Sequence, residues 1–499
     1  MKPTDIVEKL GPCASGTLIE AIVREAGGTG AAVRQRISRA VRRGELRYLG
    51  HLRLPSAGRV YYTPEQRTES EWDHRLWKAL DAAGSSYRHL LHHMLQNAGR
   101  LAAHRAESLC GFPIRPRKGH LLWDTARDNL LQDGIIWEAK HPVLGQILCL
   151  QQPATTDSQV AYARFRSEQA LALATKEFLR RNGLTAFGQV RVRHSGDDAE
   201  FGGYAWDITA PTYISPYASS RQDGGRLPGF WVVDCLVGRK VRQRDLDAFL
   251  EKIAAARTHR RCRPFTPMFV ADGYEQSAFE TGRRAGAVLT TPAMLLGEEA
   301  ANMLRLLLET LSNPGAIAKK NPKRVADIGE RFAALEGAMG NLRGDLFELL
   351  VGIAVLAEGG GNISVKREIR SDGNCLTDID VEVIAGSKAI VVECKGTLST
   401  KQIGVEIVRE WFRNTVPKIR AARSSAFDGK RETYAFWTSG QFHPDALGFL
   451  KRHKESCRKY EVEWKDSDAV KVHLRTHKQE RLVPVLDRIA NEKKDAASR

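Results

Sequence analysis

The sequence predicts a multi-domain α/β protein in which two small α+β modules precede two tandem α/β domains. Three observations carry that expectation. A chain of 499 residues is longer than one hydrophobic core usually organises. Short helical stretches ending in a β-hairpin fill the first 150 residues, whereas later stretches mix apolar strands with amphipathic helices. The order of elements between about 155 and 300 recurs after residue 340.

Composition narrows the partners. Seventy-six basic residues against 59 acidic ones give a net charge of +17, which points to a polyanion, because phosphate contacts and counterion release dominate such binding. No apolar run approaches the ~18 residues of a membrane span, and "MKPTDIVEKLG" lacks a signal-peptide core. Membrane insertion and export are therefore not expected, and a cytoplasmic location is. Eight scattered cysteines without C-x-x-C pairs or zinc spacing argue against structural zinc.

Residues 1–68 read as a winged helix. "TDIVEKLG", "SGTLIEAIVREAGG" and "GTGAAVRQRISRAVRRGEL" are three helices, and "LRYLGHLRLPSAGRVYYTP" is a two-stranded wing with a Pro-Ser-Ala-Gly turn. Between Thr29 and Arg53 stand seven arginines and one acid. Val33, Ile37 and Val41 repeat at helical spacing toward a core, which leaves Arg34, Arg36, Arg39 and Arg43 on the other faces and Arg53 in the wing. Such a helix can lie in a major groove with the wing on the backbone; the competing use is protein contact with a merely solvated basic face.

Residues 70–150 repeat the theme as a second winged-helix-like module, with four helical stretches and a hairpin about His141-Pro142. His92, His93 and His120 lack ligand spacing and are expected on helix surfaces. The stretch 155–300 follows with a helix, "SEQALALATKEFLRRNG", strands in "YAWDITAPTYI" and "GFWVVDCLVGRK", and a helix, "QRDLDAFLEKIAAART". Residues 301–339 read as a helical connector interrupted at "SNPG" and "KKNPKR", where Asn-Pro pairs mark helix boundaries.

The most informative stretch is Leu376 to Gly396, "LTDIDVEVIAGSKAIVVECKG". β-branched alternation gives a strand over 379–384, and an apolar run after a Gly-Ser turn gives a second strand ending in Glu393-Cys394-Lys395. Antiparallel pairing returns the end of the second strand to the start of the first, bringing Glu393 and Lys395 to Asp380, with Asp378 as the alternative acid. Two carboxylates are hard-oxygen ligands for Mg²⁺ or Mn²⁺, and an ammonium beside them can orient water and offset charge at a phosphate. Upstream, "NLRGDLFELLVGIAVLAEGGGN" is a helix with a wide apolar face that carries Glu348 beside core positions, where an acid needs a metal or a cation.

Helix acid, "DIDV", "VVECKG", a basic helix, then "YAFWTSGQFHPDALGFLKRH" resembles the restriction-endonuclease-like PD-(D/E)XK nucleases, especially the Mrr-type and CRISPR-ancillary branches, over residues 341–453. The resemblance implies a catalytic domain at 340–455 with metal on Asp380, Glu393 and the Cys394 carbonyl, Lys395 at the attacking water, and Glu348 at a second ion or a metal-bound water. Thr377 stands where the family has proline, which leaves Asp378 open beside Asp380. Arg409 and Arg413, on the basic helix, are expected to border the groove. By the same alignment 155–300 is a degenerate copy: "WVVDCLVG" matches "IVVECKG", Asp207 matches Asp380, Cys235 matches Cys394, and Leu236 stands in place of Lys395. Glu168, Asp207 and Asp234 would supply its acids, with Arg239 or Lys240 as a substitute cation. Residues 456–499 read as a charged extension with "VEWKDSDAVKVHL" as a strand pair and a frayed end.

The expected function is Mg²⁺- or Mn²⁺-dependent hydrolysis of phosphodiester bonds in double-stranded DNA, by resemblance in restriction or anti-phage defence. A homodimer and a defence-system partner protein stay open as partners. Two rivals stand beside it: a non-cleaving DNA-binding regulator on nuclease scaffolds, and an RNA-cleaving effector switched on by a ligand or partner.

Overall fold

The computed structural model describes residues 2–55, 58–141, 143–150, 159–186, 188–214, 218–220, 226–258, 262–331, 339–371, 374–422 and 425–491. It is a mixed α/β, multi-domain chain. The first module runs α1 (Pro3–Leu10), β1 (Cys13–Ala14), α2 (Ser15–Ala26), α3 (Gly30–Arg42), β2 (Arg47–Tyr48) and β3 (Val60–Tyr62), with strand order β1-β3-β2. Thr29 caps α3 by accepting from the Ala32 N–H, and Val33, Ile37 and Ala40 pack its inner face against Leu18 and Ile22. Arg34, Arg39, Arg43 and Arg53 are exposed and Arg36 is half-buried.

The second module has α4 (Trp72–Ala82), α5 (Tyr87–Gln96), β4 (Arg100–Ala102), α6 (Ala103–Leu109), α7 (Trp123–Gln132), β5 (Trp137–His141) and β6 (Gly145–Cys149). From α5 onward it repeats the order of the first module, including the strand order β4-β6-β5. Pro142, in the expected turn, lies outside the described residues. His120 is exposed but lies in the loop before α7 and not on a helix, and His92 and His93 are buried. His92 bonds Asp245 at 2.6 Å, so tertiary docking rather than solvent satisfies it.

Next come α8 (Gln159–Arg181), β7 (Arg191–Val192), the ribbons β8 (Glu200–Phe201) with β9 (Tyr204–Ala205), β10 (Ile208–Thr212), β11 (Ser219–Ser220) with β12 (Arg226–Leu227), β13 (Gly229–Leu236), α9 (Gln243–Arg257), β14 (Phe265–Ala271), α10 (Gln276–Arg284) and β15 (Val288–Thr290). Strands β7-β10-β13-β14-β15 form one sheet, antiparallel across the first two pairs and parallel across the last two.

Helices α11 (Pro292–Leu296), α12 (Glu298–Ser312), α13 (Pro314–Lys320) and α14 (Lys323–Arg331) precede α15 (Met339–Gly359). Then follow β16 (Asn362–Ser371), β17 (Asn374–Ala385), β18 (Lys388–Lys395), β19 (Gln402–Ile403), α16 (Val405–Glu410), a π turn, α17 (Val416–Ala421), β20 (Arg431–Thr438), β21 (Gln441–Phe442), α18 (Pro444–Ser456), β22 (Glu461–Lys465), α19 (Ser467–Thr476) and α20 (Val483–Ala490). Strands β16-β17-β18-β20-β22 repeat the antiparallel, antiparallel, parallel, parallel sequence of the first sheet.

Two compact units result: Met1–Ala139 with Gly145–Thr156 and Asn182–Thr291, and Lys140–Leu144 with Asp157–Arg181 and Pro292–Arg499. The expected boundaries shift accordingly. Helix α8 belongs to the second unit and packs on α12, whose Leu304, Leu307 and Leu311 are buried, so the described part of the expected 301–339 connector, residues 301–331, joins a packed layer, and 332–338 lie outside the described residues. The extension after 456 is likewise integral: β22 completes the second sheet, and the expected strand pair is a strand followed by a helix capped by Asp466. Fraying was expected over 488–499, but Arg488, Ile489 and Ala490 close α20 with Ile489 and Ala490 buried, and residues 492–499 lie outside the described residues. Among the described residues no helix is long and apolar enough to cross a membrane.

Candidate active site

The second site is built by the turn and ladder that the alternating pattern dictates. Gly386 takes a positive φ of 51° in a two-residue turn closing on the Ala385–Lys388 pair. From that turn the register places Val381 opposite Val392, which sets Asp380 across from Glu393. Asp380 Oδ2 accepts the Cys394 N–H at 2.7 Å, and Lys395 Nζ donates to Glu393 Oε1 at 2.5 Å. Among the described residues these are the only hydrogen bonds of the two carboxylates, so each keeps a second oxygen for another partner. Asp378 lies two residues along the same strand, opposite Glu368.

The end of β18 is held in place by small residues. A Cβ on Gly396 would come within 2.8 Å of the Arg343 carbonyl, so glycine lets the first turns of α15 approach the strand end. Thr438 Oγ1 and the Ser439 N–H donate to the Lys395 carbonyl at 2.9 and 3.2 Å, and Ser439 Oγ bonds Thr397 on both sides. At Gly440 a Cβ would meet Thr397 Oγ1 at 2.5 Å. This "TSG" turn braces the "ECKG" strand end.

Helix α15 brings Asp345 and Glu348 to the same region, three residues apart on one face. Both are buried and both are met by Lys366, a residue the sequence did not mark. Burial alone would discharge this ammonium, but Glu348, Tyr162 and Asp345 hold its pKa well above the ordinary lysine value.

Electrostatically the hairpin acids are under-compensated. Burial and the facing Asp380 push Glu393 up to about 8 against the pull of Lys395, and burial likewise raises Asp380 despite Lys395 and Lys366. Buried hard oxygens with unspent lone pairs and excess negative charge are what a divalent cation suits. Asp380 and Glu393 therefore fit Mg²⁺ or Mn²⁺, with the Cys394 carbonyl the further ligand that the resemblance implies.

The first site has the same frame with different contents. Ile208 opposite Val233 puts Asp207 across from Asp234, and Asp207 Oδ2 accepts the Cys235 N–H at 2.7 Å, as Asp380 does from Cys394. Arg105, on α6, donates to both oxygens of Asp207, at 2.5 Å to Oδ2, and also bonds the Cys235 carbonyl; Ser108 Oγ adds a bond at 2.9 Å. Lys252, on α9, donates to Asp234 at 2.5 Å and to the carbonyls of Ser108 and Ala205 at 2.8 and 3.0 Å. Burial would raise Asp207, but Arg105 and His194 outweigh it and bring it to about 2. Burial and Asp207 push Asp234 up to about 6 against Lys252.

Of the expected substitutes, Arg239 instead forms an ion pair with Asp245 at 2.7 Å, and Lys240 is exposed. Glu168 lies on α8, in the second unit, whereas Asp207 and Asp234 belong to the first. Arg409 pairs with Glu406 at 2.7 Å, and Arg413 is exposed beside the Phe449 ring. A further cluster escaped the sequence: Glu358, His473 and His477 have ligand atoms within 4.8 Å of one another, although His473 Nε2 also sits 3.2 Å from the Ala354 carbonyl. The i,i+4 spacing of His473, in α19, and His477, just past its end, was its only local signal.

No family model, curated protein or solved structure matches this chain.

Proposed function

We propose that the chain is a metal-dependent nuclease whose second sheet carries a restriction-endonuclease-like site and whose first sheet is a degenerate copy of it. The observation that supports this best is Asp380 facing Glu393 across the hairpin, with Lys395 beside them and 39% exposed. The repeated strand order and the shared Asp-to-Cys bond support the duplication.

Asp380, Glu393 and the Cys394 carbonyl would hold the Mg²⁺, which when bound supplies Lewis-acid polarisation of the phosphate. Glu393 orients the Lys395 ammonium through their 2.5 Å bond. Lys395 in turn positions the attacking water and offsets the charge that grows on the phosphate oxygens. Its pKa is held above the ordinary lysine value chiefly by Glu393 and Asp380, in spite of burial, so it acts as a charged donor and not as a base.

The exposed arginines of α3 and the wing make duplex DNA the favoured substrate, with both modules read as winged helices. If they meet about 6–10 phosphates, affinity falls by roughly 10³–10⁵ between 50 and 200 mM salt. Reversing Arg34, Arg39 and Arg43 to Glu should flatten that dependence, and an unchanged salt slope would remove the module from the interface. The direct test of activity is incubation of plasmid, linear duplex, single-stranded DNA and RNA with the protein and Mg²⁺ or Mn²⁺. Cutting of duplex that disappears in Asp380→Asn is expected. Tight DNA binding without cutting of any substrate would favour the regulator, and cutting of RNA alone the effector.

A further inference from the structure

Lys366 sits where the second positive charge of a two-ion site would otherwise be needed. Val365 faces Val381 and Arg367 faces Ile379, so Lys366 lies across the ladder from Asp380. Its φ of 58° is in the left-handed region, which a long side chain rarely adopts within a strand. The ammonium lies 2.7 and 2.6 Å from the two oxygens of Glu348 and 3.2 Å from Asp345 Oδ1, with the Tyr162 ring 5.0 Å away. Asp345 is also met by Arg166 Nε at 3.0 Å and by the Tyr162 hydroxyl. Two acids of α15 thus already have two cations of the chain itself, one from β16 and one from α8.

The first sheet shows the same device carried further, with Arg105 and Lys252 seated on Asp207 and Asp234. A divalent cation entering at Glu348 would have to approach an ammonium already in contact with both carboxylate oxygens, and like charges at that distance repel strongly in a buried site.

We propose that Lys366 is a resident counter-ion of Glu348 and Asp345, so that the second site takes one divalent cation, at Asp380 and Glu393, and not two. The proposal rests on the nuclease reading for the work that cation does. It revises the expectation that Glu348 binds a second ion: Glu348 anchors Lys366 and is a positioning residue, and Lys366 supplies the second positive charge beside Asp380.

The test counts Mn²⁺ bound to the full chain by electron paramagnetic resonance without substrate, so that it does not depend on cleavage. Wild type should hold about one ion and Asp380→Asn none, whereas Glu348→Gln should keep that ion with affinity within about twofold. Lys366→Met, which frees both oxygens of Glu348 at nearly constant volume while Arg166 stays on Asp345, should raise the count to about two. Two ions on wild type, loss of the ion in Glu348→Gln, or a folded Lys366→Met that still holds one would each overturn the proposal. If Lys366→Met does not fold, Glu348→Gln decides. Absence of any Asp380-dependent ion would overturn the nuclease reading itself, and this proposal with it.

Discussion

In the first sheet Asp207 and Asp234 face each other across an antiparallel pair, and each is bonded to a buried side-chain cation; in the second sheet Asp380 and Glu393 face each other identically, but their bonds go to a backbone N–H and to a half-exposed lysine. A buried carboxylate must be neutralised, and the two sheets show two ways to do it. Arg105 spans Asp207 and the Cys235 carbonyl, the counterparts of the groups that would hold Mg²⁺ in the second site. Lys252 meets Asp234 at the same 2.5 Å as Lys395 meets Glu393, but it comes from a helix, is fully buried and spends its three donors on protein acceptors. Such a lysine can stabilise a fold and has nothing left for a substrate. On the proposed reading, exchanging an exchangeable ion for a permanent one is what separates a scaffold from a reactive site.

The largest effect that could break this comparison is on stability. Removing Arg105 or Lys252 leaves an uncompensated buried charge, so Arg105→Ala or Lys252→Met should cost about 3–5 kcal/mol in urea denaturation of the first unit. Lys395→Ala, at a part-exposed pair, should cost at most about 1 kcal/mol. Equal costs would erase the distinction between the two cations.

The pH response sharpens it next. Glu393 is raised in the folded state to about 8, so the folded, metal-free site keeps a proton that the unfolded chain releases from about pH 4.5 upward. Its contribution is therefore fully present at low pH and is lost as pH rises toward about 8. Asp207, depressed to about 2, behaves oppositely: its contribution is present above the ordinary aspartate range and is lost as pH falls through about 2. Asp234, raised to about 6 in the first site, adds a contribution that is lost by about pH 6 as pH rises. Melting scans across pH, with Asp380→Asn, Asp207→Asn and Asp234→Asn as controls, should therefore show the alkaline loss reaching about pH 8 only in the second unit; a shared profile would contradict the assignment.

The Mg²⁺-induced shift in melting temperature is a further expected effect. Binding stabilises only the state that binds, so Mg²⁺ at 100 times Kd should add about 2.7 kcal/mol to the second unit and nothing to the first. A shift that survives Asp380→Asn would place the ion elsewhere, with Glu358, His473 and His477 the next residues to substitute.

Much of this was legible in the sequence because it rests on local order. Alternation and a Gly-Ser turn fix the register that brings Asp380 to Glu393, and the shared "V-V-acid-Cys" run exposes the repeat. The cations were not legible. Arg105 acts 102 residues before its partner Asp207, and Lys252 sits in "AFLEKIAAAR", where the residue type alone suggests a solvated face. Lys366 reaches Glu348 through a backbone conformation that no residue pattern announces. The helix after Lys465 could have been found, since "DSDAVKVHL" carries an N-cap aspartate followed by helical spacing.

Cleavage of supercoiled plasmid under Mg²⁺ by wild type, Lys395→Ala and Leu236→Met, the last two altering equivalent positions of the two sheets, is the most direct test of the proposed division between reactive site and scaffold. Loss of cutting by roughly 10²-fold or more in Lys395→Ala, with Leu236→Met near wild type, is the predicted result. Full activity in Lys395→Ala, or activity lost only in a folded Leu236→Met, would contradict it.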